Sequence, residues 1–274
     1  MNAYYINLDS AEQRRELIEQ QISAAGLPCE IKRFPAVLGA NYADSNPSLS
    51  NGQWGCWLSH MGCIELAKST HEHLLLIEDD ELFNHSLTLI DDLVQQLSGT
   101  DWDMLYLDAT IVEPEDQLHI ARACKAQFLA GKKPTPLKLS LSATVYGTHA
   151  YIINQNSLSK ISKILMKNAK SGIAIDNVLC AGIQEGLISA YISVPFLCAP
   201  GEESNNSQIN AGEHAFAKGW FGFREVATLE FMNSNEDRYL KALEKATQET
   251  ILQKINLTAL EKFSPYVGKI QKLS

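Results

Sequence analysis

The chain has 274 residues, 45% hydrophobic and 20% charged, a mix that suits one large globular domain with a sizeable core. A net charge of −9 speaks against a nucleic-acid partner, which requires a basic face, and no apolar run is long enough to read as a membrane span. The opening residues, Met1-Asn2-Ala3-Tyr4-Tyr5-Ile6-Asn7-Leu8-Asp9, lack a basic region followed by a long apolar stretch, so they read as a strand rather than a signal peptide, and the expected location is the cytoplasm. The six cysteines form no C-x-x-C pair and match no zinc-binding spacing, so they are expected to be reduced and buried.

Ala3 to Leu8 forms a short apolar strand. Ser10 is placed to cap a helix, with Gln13 completing a capping box and Leu17, Ile18, Ile22 and Ala25 supplying an apolar side. Ile31 to Val37 is a second strand, residues 39 to 53 a loop, and Gly55 to Ser69 a helix. Leu74 to Ile77 is a buried strand, Leu87 to Leu97 an amphipathic helix, and Met104 to Leu107 another buried strand. Thr144 to Ile153 is predicted as a strand, Ser157 to Met166 as a helix, Ser189 to Val194 as a strand and Ala199 to Ala211 as a polar loop. Strands alternating with helices favour an α/β sandwich around a mostly parallel sheet. From about Asn235 the pattern turns helical, which divides the chain into a domain over 1–234 and a helical C-terminal extension over 235–274.

The sharpest chemical feature is Leu74-Leu75-Leu76-Ile77-Glu78-Asp79-Asp80, a buried strand that ends in three carboxylates. Ligands of open α/β sheets bind beyond the carboxyl ends of strands, and close negative charges are costly unless something neutralises them. A hard divalent cation, Mg²⁺ or Mn²⁺, fits oxygen ligands and commonly binds substrate phosphates too. Alternation along an extended segment turns Glu78 and Asp80 one way and Asp79 the other. The competing reading is a solvated turn. Asp108 repeats the geometry after Met104 to Leu107, either lining the same crevice or capping a turn. Gly147 admits a ligand close to the backbone, and His149 beside it is either a site residue or a structural one. Asp176 reads as an N-cap or as a general base. Arg14 and Arg15 are placed to pair with a diphosphate or to sit at the surface. Ser59 and His60 either face a ligand or pack.

Together these segments resemble glycosyltransferase family 25, which includes bacterial lipooligosaccharide galactosyltransferases and is similar to the collagen galactosyltransferases. The resemblance is carried by Ile6-Asn7-Leu8-Asp9 with Arg14-Arg15, Arg33-Phe34-Pro35-Ala36-Val37, Gly55-Cys56-Trp57-Leu58-Ser59-His60, Leu76-Ile77-Glu78-Asp79-Asp80 and Gly147-Thr148-His149-Ala150-Tyr151, in that order. It implies a GT-A type nucleotide-sugar-binding sandwich, a UDP-sugar donor, Mn²⁺ or Mg²⁺, and inversion at the anomeric carbon. Carried over, Glu78 and Asp80 hold the metal. Asn7, Leu8, Arg14, Ala36 and Val37 line the nucleotide pocket, joined by Ser59, His60, Asp79, Gly147, Thr148 and His149, while Asp176 lies on the acceptor side. Asp108 departs from the small residue expected there, and the C-terminal third matches less clearly.

The resulting expectation is transfer of a hexose, galactose first, to an oligosaccharide or lipid-linked saccharide acceptor of lipooligosaccharide or a related glycan. Asp176, or Glu202 or Glu203, takes the acceptor proton, and the polar loop over 200–207 folds over the donor as a lid or is an ordinary surface excursion. The lysine-bearing C-terminal helices pack on the domain, form a dimer contact, or lie on the inner face of the bacterial plasma membrane. A metal-dependent phosphohydrolase, with Asp108 serving a second ion, and a non-catalytic nucleotide-sugar- or carbohydrate-binding module are the alternatives.

Overall fold

The computed structural model describes residues 1–200 apart from Gly26, Pro28, Asn46, Pro47, Asn84 and Lys132. The proposed boundary at residue 234, the loop over 201–207 with Glu202 and Glu203, and the lysine-rich extension lie outside the described residues.

The elements in chain order are β1 (Asn2–Asn7), α1 (Glu12–Ala25), β2 (Ile31–Pro35), α2 (Asn51–Ala67), β3 (Leu74–Glu78), β4 (Glu81–Phe83), α3 (Ile90–Gln96), β5 (Met104–Ile111), α4 (Pro114–Leu129), β6 (Thr135–Lys138), β7 (Val145–Ile153), α5 (Leu158–Asn168), α6 (Ile175–Gln184), β8 (Ala190–Val194) and β9 (Cys198–Pro200). Among the described residues, seven strands make one sheet in the order β2-β1-β3-β7-β5-β8-β6, and β4 pairs with β9 in a separate ribbon. Five of the seven strands run one way, and β7 and β6 run against them. This is a mixed α/β architecture with a mostly parallel central sheet.

The core is two apolar layers, one on each face of the sheet. Leu74 and Leu76 of β3 join residues of α2, α4, α5 and α6, while Leu75 and Ile77 join residues of α1 and α3. Covering a strand on both faces explains its uninterrupted apolar run, since neither side chain parity meets water. The chain leaves β1 for β2 on one side and returns from β2 to β3 on the other, so a crevice opens beyond the carboxyl ends of β1 and β3.

Several local expectations shift. The helix after β1 begins at Glu12, so Ala11 precedes its first turn and its carbonyl accepts from Arg15 N at 3.1 Å; Ser10 falls one residue short of the cap. A capping box does form at α2, where Ser50 accepts from Gln53 N and the Gln53 side chain accepts from Ser50 N. α2 therefore starts at Asn51, inside the stretch expected to be a loop. Residues 114–138, unassigned from sequence, supply α4 and β6. Asp108 is neither a strand end nor a turn cap. It is fully buried inside β5, where the pairing with β7 slips at that residue.

The first turns of α2 lie directly on the backbone leaving β2. A Cβ on Gly55 would sit 2.5 Å from the Val37 carbonyl oxygen, and one on Gly39 would sit 1.9 Å from that of Asn51. Gly→Ala inside a helix normally gains about 1 kcal/mol. Here overpacking against backbone, which cannot rotate away, costs about 1–3 kcal/mol or more. Gly55→Ala is expected to lower stability by up to about 2 kcal/mol net in urea unfolding, and a gain in stability would show that the Val37 segment is not held against α2.

Candidate active site

At the crevice lies a cavity of about 310 Å³. The end of β1 and the start of α1 contribute Asn7, Leu8 and Arg14; the segment after β2 contributes Ala36 and Val37; α2 contributes Cys56, Ser59 and His60; and the turn after β3 contributes Glu78, Asp79 and Asp80. The antiparallel strand β7 begins alongside, with Ile77 opposite Ala150, which brings Thr148 and His149 next to Glu78.

The three carboxylates are held differently. Glu78 Oε1 accepts a 2.6 Å hydrogen bond from the Thr148 hydroxyl and lies 3.3 Å from His60 Nε2. A carboxylate only accepts, so Nε2 carries the proton, and Nδ1 of the same ring accepts from the Tyr151 hydroxyl at 2.8 Å. Burial raises the Glu78 pKa, but hydrogen bonding from His60, the nearby His149, and Thr148 outweigh it and hold this carboxyl well below the usual range. Asp79 accepts from the Asn7 amide at 2.6 Å and from Arg14 at 3.1 Å. Burial nonetheless pushes its pKa up, with Asn7 and Arg14 pulling back. Asp80 lies 3.7 Å from the same Arg14 nitrogen. Among the described residues Glu78 therefore stays ionised without a lysine or arginine partner, and Arg14 makes its closer contact with Asp79.

Asn7 is a hub. Its amide also donates to the Ala11 carbonyl, and its oxygen accepts from Arg33 Nε at 3.1 Å, so the end of β1 ties β2 and the acidic turn together. Ser59 packs: its hydroxyl donates to the Gly55 carbonyl at 2.6 Å and accepts from Val37 N at 2.8 Å, fixing one cavity wall. Gly147 has φ +89, and a Cβ there would lie 2.4 Å from the His149 ring, so glycine is what lets that imidazole fold back toward the acids. Asp176 is the second residue of α6, with Ala174 at the cap, and it accepts from Gly147 N at 3.3 Å, behind the start of β7.

Glu78, Asp80 and His149 each offer a ligand atom, and these atoms lie within 4.8 Å of one another. Two oxygens from cavity-lining carboxylates and an imidazole nitrogen close to both fit a hard to borderline divalent ion. Asp108 belongs to no metal-capable group among the described residues.

Residues 1–179 match the family model described as glycosyltransferase family 25 (LPS biosynthesis protein). The chain belongs to glycosyltransferase family 25. No curated protein matches it. The family 25 membership makes the chain a glycosyltransferase of LPS biosynthesis, acting between a sugar donor and a saccharide acceptor. The cavity, the acidic turn, the start of β7 and Asp176 all fall within the matched residues of this family 25 transferase. Among its described residues, no helix is long and apolar enough to cross a membrane.

Sequence reasoning did not assign roles to Cys56, Tyr151 or Gly39. For Cys56 the available signal was its spacing of four from His60 on one helix. Tyr151 and Gly39 become visible only once strands and backbone are brought together.

Proposed function

We propose that this family 25 transferase moves a hexose, galactose first, from a UDP-sugar to a saccharide acceptor of lipooligosaccharide or a related glycan, with inversion, on a GT-A type arrangement. The observation that carries the reading is the convergence of His149 on Glu78 and Asp80, two carboxylates that line the cavity beyond β1 and β3. Those three residues would hold Mn²⁺ or Mg²⁺, the imidazole favouring Mn²⁺, and the ion would supply Lewis-acid neutralisation of the departing diphosphate.

The chain's own groups do the rest. Thr148 and His60 fix the direction of Glu78, so its charge is aimed before the donor arrives. Asn7 and Arg14 hold Asp79 against the end of β1, which keeps the acidic turn in place. Ala36, Val37 and Leu8 offer apolar surface to the nucleotide. Asp176 is the residue proposed to take the acceptor proton, with its orientation set by the Gly147 N–H. The reading carries with it a cytoplasmic location, with a lipid-linked acceptor presented at the inner face of the membrane.

A panel of UDP-sugars, each with Mn²⁺ or with chelator and scored for nucleotide release, tests donor and metal together. UDP-galactose with Mn²⁺ is expected to give the highest release, dependent on a saccharide acceptor. Equal release with chelator would remove the metal from the reading. Tight UDP binding with no release on any acceptor would favour a non-catalytic binding module. The phosphohydrolase alternative loses its second-ion ligand, because Asp108 is buried inside β5.

A further inference from the structure

Cys56 and His60 are four residues apart on α2, so their side chains leave the same face of the helix. That face meets the end of β3. A ligand atom from each of Cys56, His60 and Glu78 lies within 4.8 Å of the other two, and all three residues line the cavity.

The His60 ring is set up as metal-binding imidazoles are. One nitrogen, Nε2, points to the cluster, and the other is fixed from behind by the buried Tyr151 hydroxyl at 2.8 Å. That hydroxyl serves either tautomer, donating to a bare Nδ1 and accepting from a protonated one. Thiolate, imidazole and carboxylate together suit a borderline to soft ion, not Mg²⁺, and three protein ligands beside a cavity leave a fourth position for water.

We propose that Cys56, His60 and Glu78 form a Zn²⁺ site distinct from the Glu78, Asp80 and His149 group but sharing its Glu78 carboxylate. On binding, the Cys56 thiol proton leaves to solvent and the His60 proton moves from Nε2 to Nδ1, which then donates a hydrogen bond to the Tyr151 oxygen. Zn²⁺ so bound draws Glu78 away from the other group and inhibits sugar transfer; this last step rests on the proposed function above.

The test uses the purified full chain with Co²⁺ as a spectroscopic stand-in for Zn²⁺. Wild type is expected to show thiolate-to-cobalt charge-transfer absorption in the near ultraviolet that Zn²⁺ abolishes. Cys56→Ser should lack it, and Tyr151→Phe should need at least about tenfold more Co²⁺ to develop it. Zn²⁺ should inhibit wild-type transfer, and Cys56→Ser should need at least about tenfold more Zn²⁺ for the same fractional inhibition of its own rate. No such absorption in wild type, or undiminished absorption in Cys56→Ser, overturns the site, as does an unchanged Co²⁺ requirement in Tyr151→Phe. Cobalt bound only by Glu78, Asp80 and His149 has no sulfur ligand and cannot produce the signal. Absorption that behaves as expected, in a chain whose transfer proceeds fully with chelator, leaves the thiolate site standing and removes only the separate catalytic-ion reading.

Discussion

Asp80→Asn is expected to lower turnover by about 10²- to 10³-fold, equivalent to losing about 3–4 kcal/mol of transition-state stabilisation. The amide keeps the size of the carboxylate and removes its charge from the group it forms with Glu78 and His149. The fold should be unaffected, because Arg14 retains its 3.1 Å partner Asp79 and the Asn7 amide still holds that carboxylate. The measurement is nucleotide release across a Mn²⁺ titration, paired with thermal unfolding of the unliganded protein. Near-wild-type turnover that still requires metal would sink the assignment of Asp80. A large drop in unfolding temperature would instead reassign Asp80 to the structural partnership with Arg14.

The largest expected loss of stability lies at the opposite end of the sheet. Asp103, buried just before β5, accepts from the Ser157 hydroxyl at 2.6 Å, from Lys160 Nζ at 2.6 Å and from Ser189 N at 2.7 Å. One carboxylate thus joins the start of α5 to the residues leading into β5 and β8. Asp103→Ala strands a hydroxyl and a backbone N–H, while the half-exposed Lys160 can return to water, so the expected cost is about 2–4 kcal/mol. Burial raises the Asp103 pKa, but Lys160, Ser157 and Ser189 outweigh it and hold it below the ordinary value. A depressed folded-state pKa means the contribution is whole above the unfolded value, about 3.9, and disappears as pH falls through the folded one. Urea unfolding of wild type and variant should therefore show a gap at pH 7 that narrows at about pH 3. An equal gap at both would place the cost in packing rather than in the ionised carboxylate.

How much of this could be read in advance depended on what surrounds each segment. β3 was legible because helices cover both its faces, and only an unbroken apolar run satisfies that environment. Its acidic exit was legible for the same reason, since burying charge is costly and this run of charge begins where β3 ends. Asp108 misled because a carboxylate after four apolar residues looks like another exit, whereas a slip in pairing accommodates it inside β5. Alternation along Glu78, Asp79 and Asp80 assumed an extended segment, but β3 stops at Glu78 and the next two residues turn. The first turn of α2 was hidden because its Asn and Gly content resembles a loop, and the capping signal at Ser50 lay unread within it. Among the described residues β6, which carries Pro136, pairs with β8 alone, an edge position that tolerates proline and weakens the strand pattern. Which carboxylate meets Arg14 and which meets Thr148 depends on bringing residues 65 to 70 positions apart into register, and no local pattern encodes that.

The bare crossing of main chain at Gly39 and Gly55 has a practical corollary for anyone wishing to redesign donor preference. Pockets are usually enlarged by trimming a bulky residue and reshaped by adding one, yet this side has nothing to trim and no room to add. On the proposed reading of this cavity as the donor site, selectivity would be tuned from the Leu8 and Leu38 flanks, leaving the glycine crossing as a fixed reference against which those changes are made.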